Sequence, residues 1–336
     1  MNVRIDPFMS GHTLDVHNLL SQGTRKGCLA VQLSRRALQT VLGIIWIVDG
    51  ILQLKPQMFT KNFVEQVILP SAQSQPGWIR HSMIWAGHIA SAHIGVYNAI
   101  FVAIQLLIGI GLTFNIVTKT TLIASFVWTA IVWWFGEGFG QLLTGQSLML
   151  TGAPGGVLIY GLVGWAVWPI EEHFRFHHHS AFSHFVSPTG RNVARLSLGL
   201  SFVLGAALQL QPAYRSSTGM DSAFSAAWIG NLIGSHGLLA SIVLFVIQLS
   251  IGIGVLTNRR IGWFVWAAIV VSFVFWWIGQ DFGQMFTPLG TDPNVGPLFI
   301  LLALCAYPEL LTSKRANEIG RGRSSRRPYA PTITSR

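Results

Sequence analysis

The feature that most limits what this chain can fold into is its series of long apolar runs with almost no charge inside them. Of its 336 residues, 10% are charged and 51% hydrophobic, whereas soluble domains carry about 25% charged residues. A chain so poor in charge cannot cover a water-facing surface. In lipid the backbone has to satisfy its own hydrogen bonds, which leaves helices or closed barrels. Barrels need short alternating segments, so continuous apolar runs predict helices. Eight fall at about 37–54, 83–112, 120–136, 150–168, 194–211, 228–256, 261–278 and 294–308. The expected fold is an all-α polytopic membrane protein with eight transmembrane helices. The second and sixth runs exceed one bilayer crossing and are expected to tilt or protrude.

The net charge of +10 would suit a nucleic-acid binder, but the basic residues do not form one face. They sit in clusters between the runs. One flank collects 18 Lys and Arg, and the other has four: Lys55, Lys61, Arg80 and Arg215. This is the positive-inside pattern. It predicts a multi-pass plasma-membrane protein with both termini cytoplasmic, a lipid partner and no nucleic acid. The first 36 residues lack an apolar signal core, so insertion is expected to begin with the first span. Cys28 and Cys305 form no CxxC pair, which excludes a thiol redox motif or zinc knuckle of that kind.

The runs repeat. Gln105-Leu-Leu-Ile-Gly-Ile-Gly-Leu112 matches Gln248-Leu-Ser-Ile-Gly-Ile-Gly-Val255, and Trp133-Trp-Phe-Gly-Glu-Gly-Phe-Gly-Gln141 matches Trp276-Trp-Ile-Gly-Gln-Asp-Phe-Gly-Gln284, both at an offset of 143. Gln53-Leu-Lys-Pro56 matches Gln209-Leu-Gln-Pro212 at 156, and Ala166-Val-Trp-Pro169 matches Cys305-Ala-Tyr-Pro308 at 139. An even number of spans per unit gives both units the same orientation, so two parallel four-helix repeats are expected. The chain then divides into a cytoplasmic segment 1–36, a first repeat 37–168, a His-rich linker 169–193, a second repeat 194–308 and a basic tail 309–336. The linker histidines read as solvated chain and not as a metal site.

Ionisable groups inside spans are costly and tend to face a cavity or a partner. Asp49, His88 and Glu137 come from three different runs and share an outer depth. His93 lies five residues beyond His88. In the second half, Asp49 is replaced by Gly205, His88 by Asn231 and Glu137 by Gln280, while His236 repeats His93 and Asp281 follows Gln280. The candidate site therefore belongs to the first half. Its catalytic candidates are Glu137, His88, Asp49 and His93, with Asp49, His88 and Glu137 as candidate ligands of a metal. Trp133, Trp134, Arg80 and Gln141 are candidate substrate contacts, and His236, Gln280 and Asp281 are the second-half counterparts. Asp292, ahead of Pro293, reads as the cap of the eighth span.

A four-span unit whose third span ends in Trp-Trp-x-Gly-Glu-Gly-Phe-Gly resembles the DoxX/DoxD-like membrane proteins, here present twice over about 37–308. That resemblance implies a redox role near the quinone pool, of the thiosulfate:quinone oxidoreductase kind, with quinone as ligand and a redox subunit as partner. The second half departs from the motif at Gln280. Two other functions suit the same chain. One is a non-catalytic anchor subunit, for which the first outer loop offers docking surface. The other is a transporter of a small solute or ion, although no line of ionisable groups continues to the cytoplasmic side.

Overall fold

The computed structural model describes residues 33–173, 180–182, 185–225, 227–233 and 235–307. The N-terminal basic segment up to residue 32, the linker histidines His177, His178, His179 and His184, and the basic tail lie outside the described residues. Ten helices of seven or more residues order the rest: α1 Arg35–Leu52, α2 Gly77–Ala92, α3 Ile94–Phe114, α4 Thr118–Phe135, α5 Gly156–Ala166, α6 Pro188–Leu208, α7 Ala227–Ile233, α8 Gly237–Leu256, α9 Ile261–Ile278 and α10 Val295–Ala306. A short antiparallel pair, β1 Glu171–His173 and β2 Ser180–Phe182, joins the halves, with Glu171 opposite Phe182.

Local chemistry sets several boundaries. Ser34 accepts the Ala37 N–H at 3.0 Å and starts α1. Ser187 does the same for Gly190, with Pro188 at the first helical position of α6. Asn115 ends α3 in the left-handed conformation at φ 61°.

Three helices, α3, α8 and α9, are long and apolar enough to cross a membrane. The helices α1, α4 and α6 have 18, 18 and 21 residues but more polar sequences. The helices α5 and α10 are apolar but have only 11 and 12 residues. The outward face is apolar, with Leu107, Phe114, Val127, Ile242, Trp263 and Phe273 exposed. An apolar exterior on this scale marks a membrane protein.

Two expectations change. The long second and sixth runs are not single tilted spans, because each breaks at a histidine. His93 leaves the helical region at φ −139° and ψ 51°, and its carbonyl accepts the N–H groups of Val96 and Tyr97 to start α3. His236 does the same ahead of α8, accepting the N–H of Ala240. Beside it, a Cβ on Gly237 would come within 2.7 Å of the Ser216 carbonyl, so the chain changes course where another strand of backbone presses on it. Secondly, the cap of α10 is Asn294, whose side chain accepts the Val295 N–H at 2.7 Å.

The short helices lie at the centre. α5 packs against α4, α6 and α10, and α10 against α9, α6 and α1. Burial by neighbours explains how they dispense with the length of a lipid-crossing helix. Around them, contacts in the first half recur in the second at the sequence offsets. The helices α1 and α3 cross at Gly43 and Gly109, where an added Cβ on Gly43 would lie 2.8 Å from the Gly109 carbonyl; α6 and α8 cross at Gly199 and Gly252, with 3.2 Å for the equivalent atoms. Gln39 donates to Leu112 O at 2.9 Å, and Arg195 to Leu256 O at 2.7 Å and Val255 O at 3.4 Å. Asn98 donates to Gln53 O, and Ser241 to Gln209 O.

These crossings leave no room for a side chain. Gly109→Val would place atoms onto the Ile47 backbone nitrogen, 2.7 Å from the new Cβ. Overpacking of this kind costs about 1–3 kcal/mol. Gly109→Val should therefore lower the melting temperature in detergent, whereas Gly95→Ala, with nothing within 4 Å of its Cβ, should not.

Candidate functional site

The Gly-Glu-Gly-Phe-Gly segment after α4 folds as a tight turn packed on the turn that precedes α5. Gly140, at φ 61°, has its Cα against the Pro154 carbonyl, and Gly155, at φ 105°, lies against the Glu137 carboxyl. Both positions demand glycine, through positive φ and through lack of space for a Cβ. Trp133 Nε1 donates to Pro154 O at 2.8 Å and stands edge-on to Phe139 at 4.9 Å. The same geometry recurs after α9, where Trp276 donates to Pro293 O at 2.6 Å and meets Phe282 at 4.9 Å.

The turn delivers Glu137 to the N-terminus of α5. Oε1 accepts the Val157 N–H at 3.2 Å, one of the N–H groups that a helix leaves without an internal partner. The other oxygen, Oε2, is buried without a hydrogen-bond partner. Glu137 lines a cavity of about 190 Å³ together with Asp49, Gln53, Gln105, Trp46, Trp128, Phe101, Phe135 and Asp292. Asp49 lies 3% exposed on α1. Its Oδ2 accepts the Tyr160 hydroxyl proton, and its Oδ1 is without a partner. The amide oxygens of Gln53 and Gln105 and the indole nitrogens of Trp46 and Trp128 are likewise buried and unpartnered.

Asp292 comes from the loop before α10, in the second half. Its Oδ1 accepts the Asn294 N–H at 2.6 Å and its Oδ2 the Thr291 hydroxyl at 2.7 Å. Both of its oxygens are thus committed as acceptors, an arrangement that favours the ionised form. Glu137 and Asp49 each keep one oxygen bare, where a proton can sit. Glu137 and Asp292 lie outside the helices. Burial, with the nearby Asp292 charge, pushes the Glu137 carboxyl up to about 8. Burial also raises Asp292, while its two hydrogen bonds oppose the rise.

A lid closes one side of the cavity. It belongs to the first loop, which is longer than its second-half counterpart. Lys61–Phe63, a π-helical turn Val64–Ile68 and Leu69–Ala72 carry Phe63, Val67 and Ile68 over the site. The glycine-rich motif and Trp134 tie down this segment and the chain that follows it into α2. Gln75 donates to Gly138 O at 2.8 Å, Gln141 to Ser71 O at 2.8 Å, and Trp134 Nε1 to Ser82 Oγ at 2.9 Å.

The second half presents the same framework without the site. Gln280 repeats the helix-capping role of Glu137, accepting the Gly296 N–H at 3.2 Å and donating weakly to Met149 O and Leu150 O at 3.5 and 3.4 Å. Phe202 and Phe299 replace Trp46 and Tyr160, keeping the aromatic pair and losing its polar atoms. Gly205 replaces Asp49, and Met149 fills the space against it, with its sulfur 2.9 Å from where a Cβ would be.

The sequence-based candidates separate accordingly. Asp49 and Glu137 line one cavity. His88 does not, since α2 turns Ala86, Gly87 and Ala90 toward it and leaves His88 exposed, beside Arg80 in a shallow surface pocket. The expected metal set of Asp49, His88 and Glu137 is therefore not assembled, and no three His, Cys, Asp or Glu side chains among the described residues group to hold a metal ion. His93 and His236 are exposed at the helix breaks, and Asp281 is exposed beyond α9. Trp133, Trp134 and Gln141 fix the turn and the lid without lining the cavity. Sequence reasoning missed Asp292 as a site residue, together with Tyr160, Trp46 and Trp128. Replacement of Trp46 by Phe202 and of Tyr160 by Phe299 at the repeat offsets was the available signal.

No family model, curated protein or solved structure matches the chain.

The raised Glu137 carboxyl makes a pH prediction. The folded protein keeps this proton through a range in which the unfolded chain has released it. Its contribution to stability is full below about pH 4.5 and is lost as pH rises toward 8. Melting temperatures measured from about pH 5 to 8 should fall for the wild type, and Glu137→Gln should flatten that part of the profile.

Proposed function

We propose that the chain is a DoxX/DoxD-like integral membrane protein of two parallel four-helix units, eight spans in all, with both termini cytoplasmic. Its single site, in the first unit, binds a quinone headgroup and exchanges protons with it. The observation that carries this reading is the contrast between Glu137 and Gln280. Both cap the helix that follows, through 3.2 Å bonds from Val157 and Gly296. Capping therefore needs no acid, yet the first unit has one, its second oxygen is buried without a partner, and the residue lines the cavity.

The cavity suits such a ligand. Trp46, Trp128, Phe101 and Phe135 give it aromatic walls for a flat ring. The indole N–H groups of Trp46 and Trp128 offer hydrogen bonds to carbonyl oxygens, and Glu137 and Asp49 can each hold a proton on the bare oxygen. Reduction of a quinone to a quinol takes two electrons and two protons. These side chains would supply the protons, and a partner subunit that oxidises a sulfur anion such as thiosulfate would supply the electrons. Recurrence of the Gly43–Gly109 crossing at Gly199–Gly252 supports the two-unit arrangement.

Purified protein in lipid nanodiscs should quench its tryptophan fluorescence on titration with decylubiquinone. Glu137→Gln and Asp49→Asn should each weaken binding or quinone reduction by roughly tenfold or more, about 1.4 kcal/mol. His88→Ala should leave both unchanged. Full binding and turnover in the two carboxyl variants would remove the site assignment. Cysteine labelling from the two sides of the membrane at Gln146 and at Lys119 should give opposite accessibilities.

A further inference from the structure

Lys55 stands outside the cavity, yet its contacts are unusually specific. Its ammonium donates to three carbonyl oxygens of one short stretch in the other half: Met285 at 2.7 Å, Thr287 at 2.7 Å and Gly290 at 2.9 Å. An ammonium has three N–H donors and no acceptor, so every donor is used on one loop. The residues that follow Gly290 are Thr291 and Asp292, both of which line the first-half cavity. Lys55 therefore grips the loop directly before the point where it enters the site.

The pseudo-equivalent position provides a comparison within the same molecule. At the offset of 156, Lys55 becomes Gln211, and at 143, Gly290 becomes Ser147. Gln211 does touch this counterpart loop, its side-chain oxygen accepting the Ser147 N–H at 3.2 Å. Two residues further on, Met149 enters the second-half space against Gly205. Both loops thus cross into the opposite half, each carrying one side chain inward. The contact with a positive charge and three hydrogen bonds is the one whose loop delivers a carboxylate into an already acidic cavity. The other loop, held by the neutral Gln211 contact and by the Tyr214 hydroxyl donating to Gln146 O at 2.6 Å, delivers an uncharged thioether against Gly205 and the Gln248 amide. Pushing an acid toward Asp49 and Glu137 is opposed by like charge and by desolvation, so this loop needs a stronger tether than its counterpart.

We infer that Lys55 is a positioning residue, which clasps the 285–290 loop so that Asp292 completes the first half's carboxyl set. The inference rests on that cavity being the functional site, but its test requires no quinone. Asp292→Cys is prepared in the full-length protein with Cys28 replaced by Ser, and its reaction with a small cationic methanethiosulfonate is timed. A Ser147→Cys protein serves as the control on the counterpart loop. With Lys55 in place, the cysteine at 292 should react slowly. In a Lys55→Gln background, which copies the second half, it should react roughly tenfold faster or more, the signature of a local opening. The control cysteine should react at one rate in both backgrounds. Lys55→Arg provides a second variant that keeps the charge while its planar fork cannot meet three convergent carbonyls from one atom, and it should also speed the reaction at 292. Equal rates at 292 with Lys, Gln and Arg at position 55 overturn the inference. So does an equal rise at the Ser147→Cys control, which would make Lys55 a general brace of the fold.

Discussion

A helix that begins in the middle of a bundle exposes N–H groups that nothing within the helix can satisfy. In this protein two such helices, α5 and α10, form the centre, and each is completed by a side chain from the turn before it. Glu137 supplies one acceptor and Gln280 the other, at the same distance of 3.2 Å. These acceptors each satisfy one N–H at the start of helices of 11 and 12 residues, with Asn294 capping the second as well. The turns that carry the acceptors are held by glycines with positive φ and by paired Trp–Phe contacts. The cavity borders the same arrangement, since the capping Glu137 is among its lining residues.

The first half adds polar groups to this frame by small changes. An acid replaces an amide at the cap, a hydroxyl is added to an aromatic ring, and an aspartate stands where the other half has glycine. The first two keep the packing partners, and the third exchanges the carboxyl for the Met149 side chain. Trp46 and Tyr160 meet tilted at 4.3 Å, and Phe202 and Phe299 meet tilted at 6.1 Å. The polar atoms face one another across a wall of aromatic and aliphatic groups, in surroundings where an unpartnered polar atom is costly. That cost is the physical reason to regard the bare oxygens of Asp49 and Glu137 as functional.

The helical, membrane-embedded character of the chain was legible because apolar length and low charge leave few alternatives. The first-half bias of the site was legible because the repeat offsets align Asp49 with Gly205 and Glu137 with Gln280. Helix ends were harder to read. The runs through His93 and His236 are continuous in apolarity, and the breaks come from backbone geometry and close approach, which carry no hydropathy signal. His88 was placed by depth alone, but position around the helix decides what a side chain faces, and a step of about 100° per residue from Gly87 turns it outward. Asp292 was hidden for a different reason. Its local pattern, an aspartate before proline at a helix start, reads as a cap, while its place in the cavity lining depends on a crossing between halves that no local pattern records.

The methionine that fills the second half has a consequence for how the two halves can diverge. Gly205 and Met149 come from different segments and occupy one another's space. An acid restored at 205 would collide with the Met149 side chain and with the Gln248 amide before it met any ligand. The path back to a second site therefore has an order: the plug has to shrink before the carboxyl can return. The Met149 contact with Gly205 thus closes off in the second half the space that Asp49 occupies in the first.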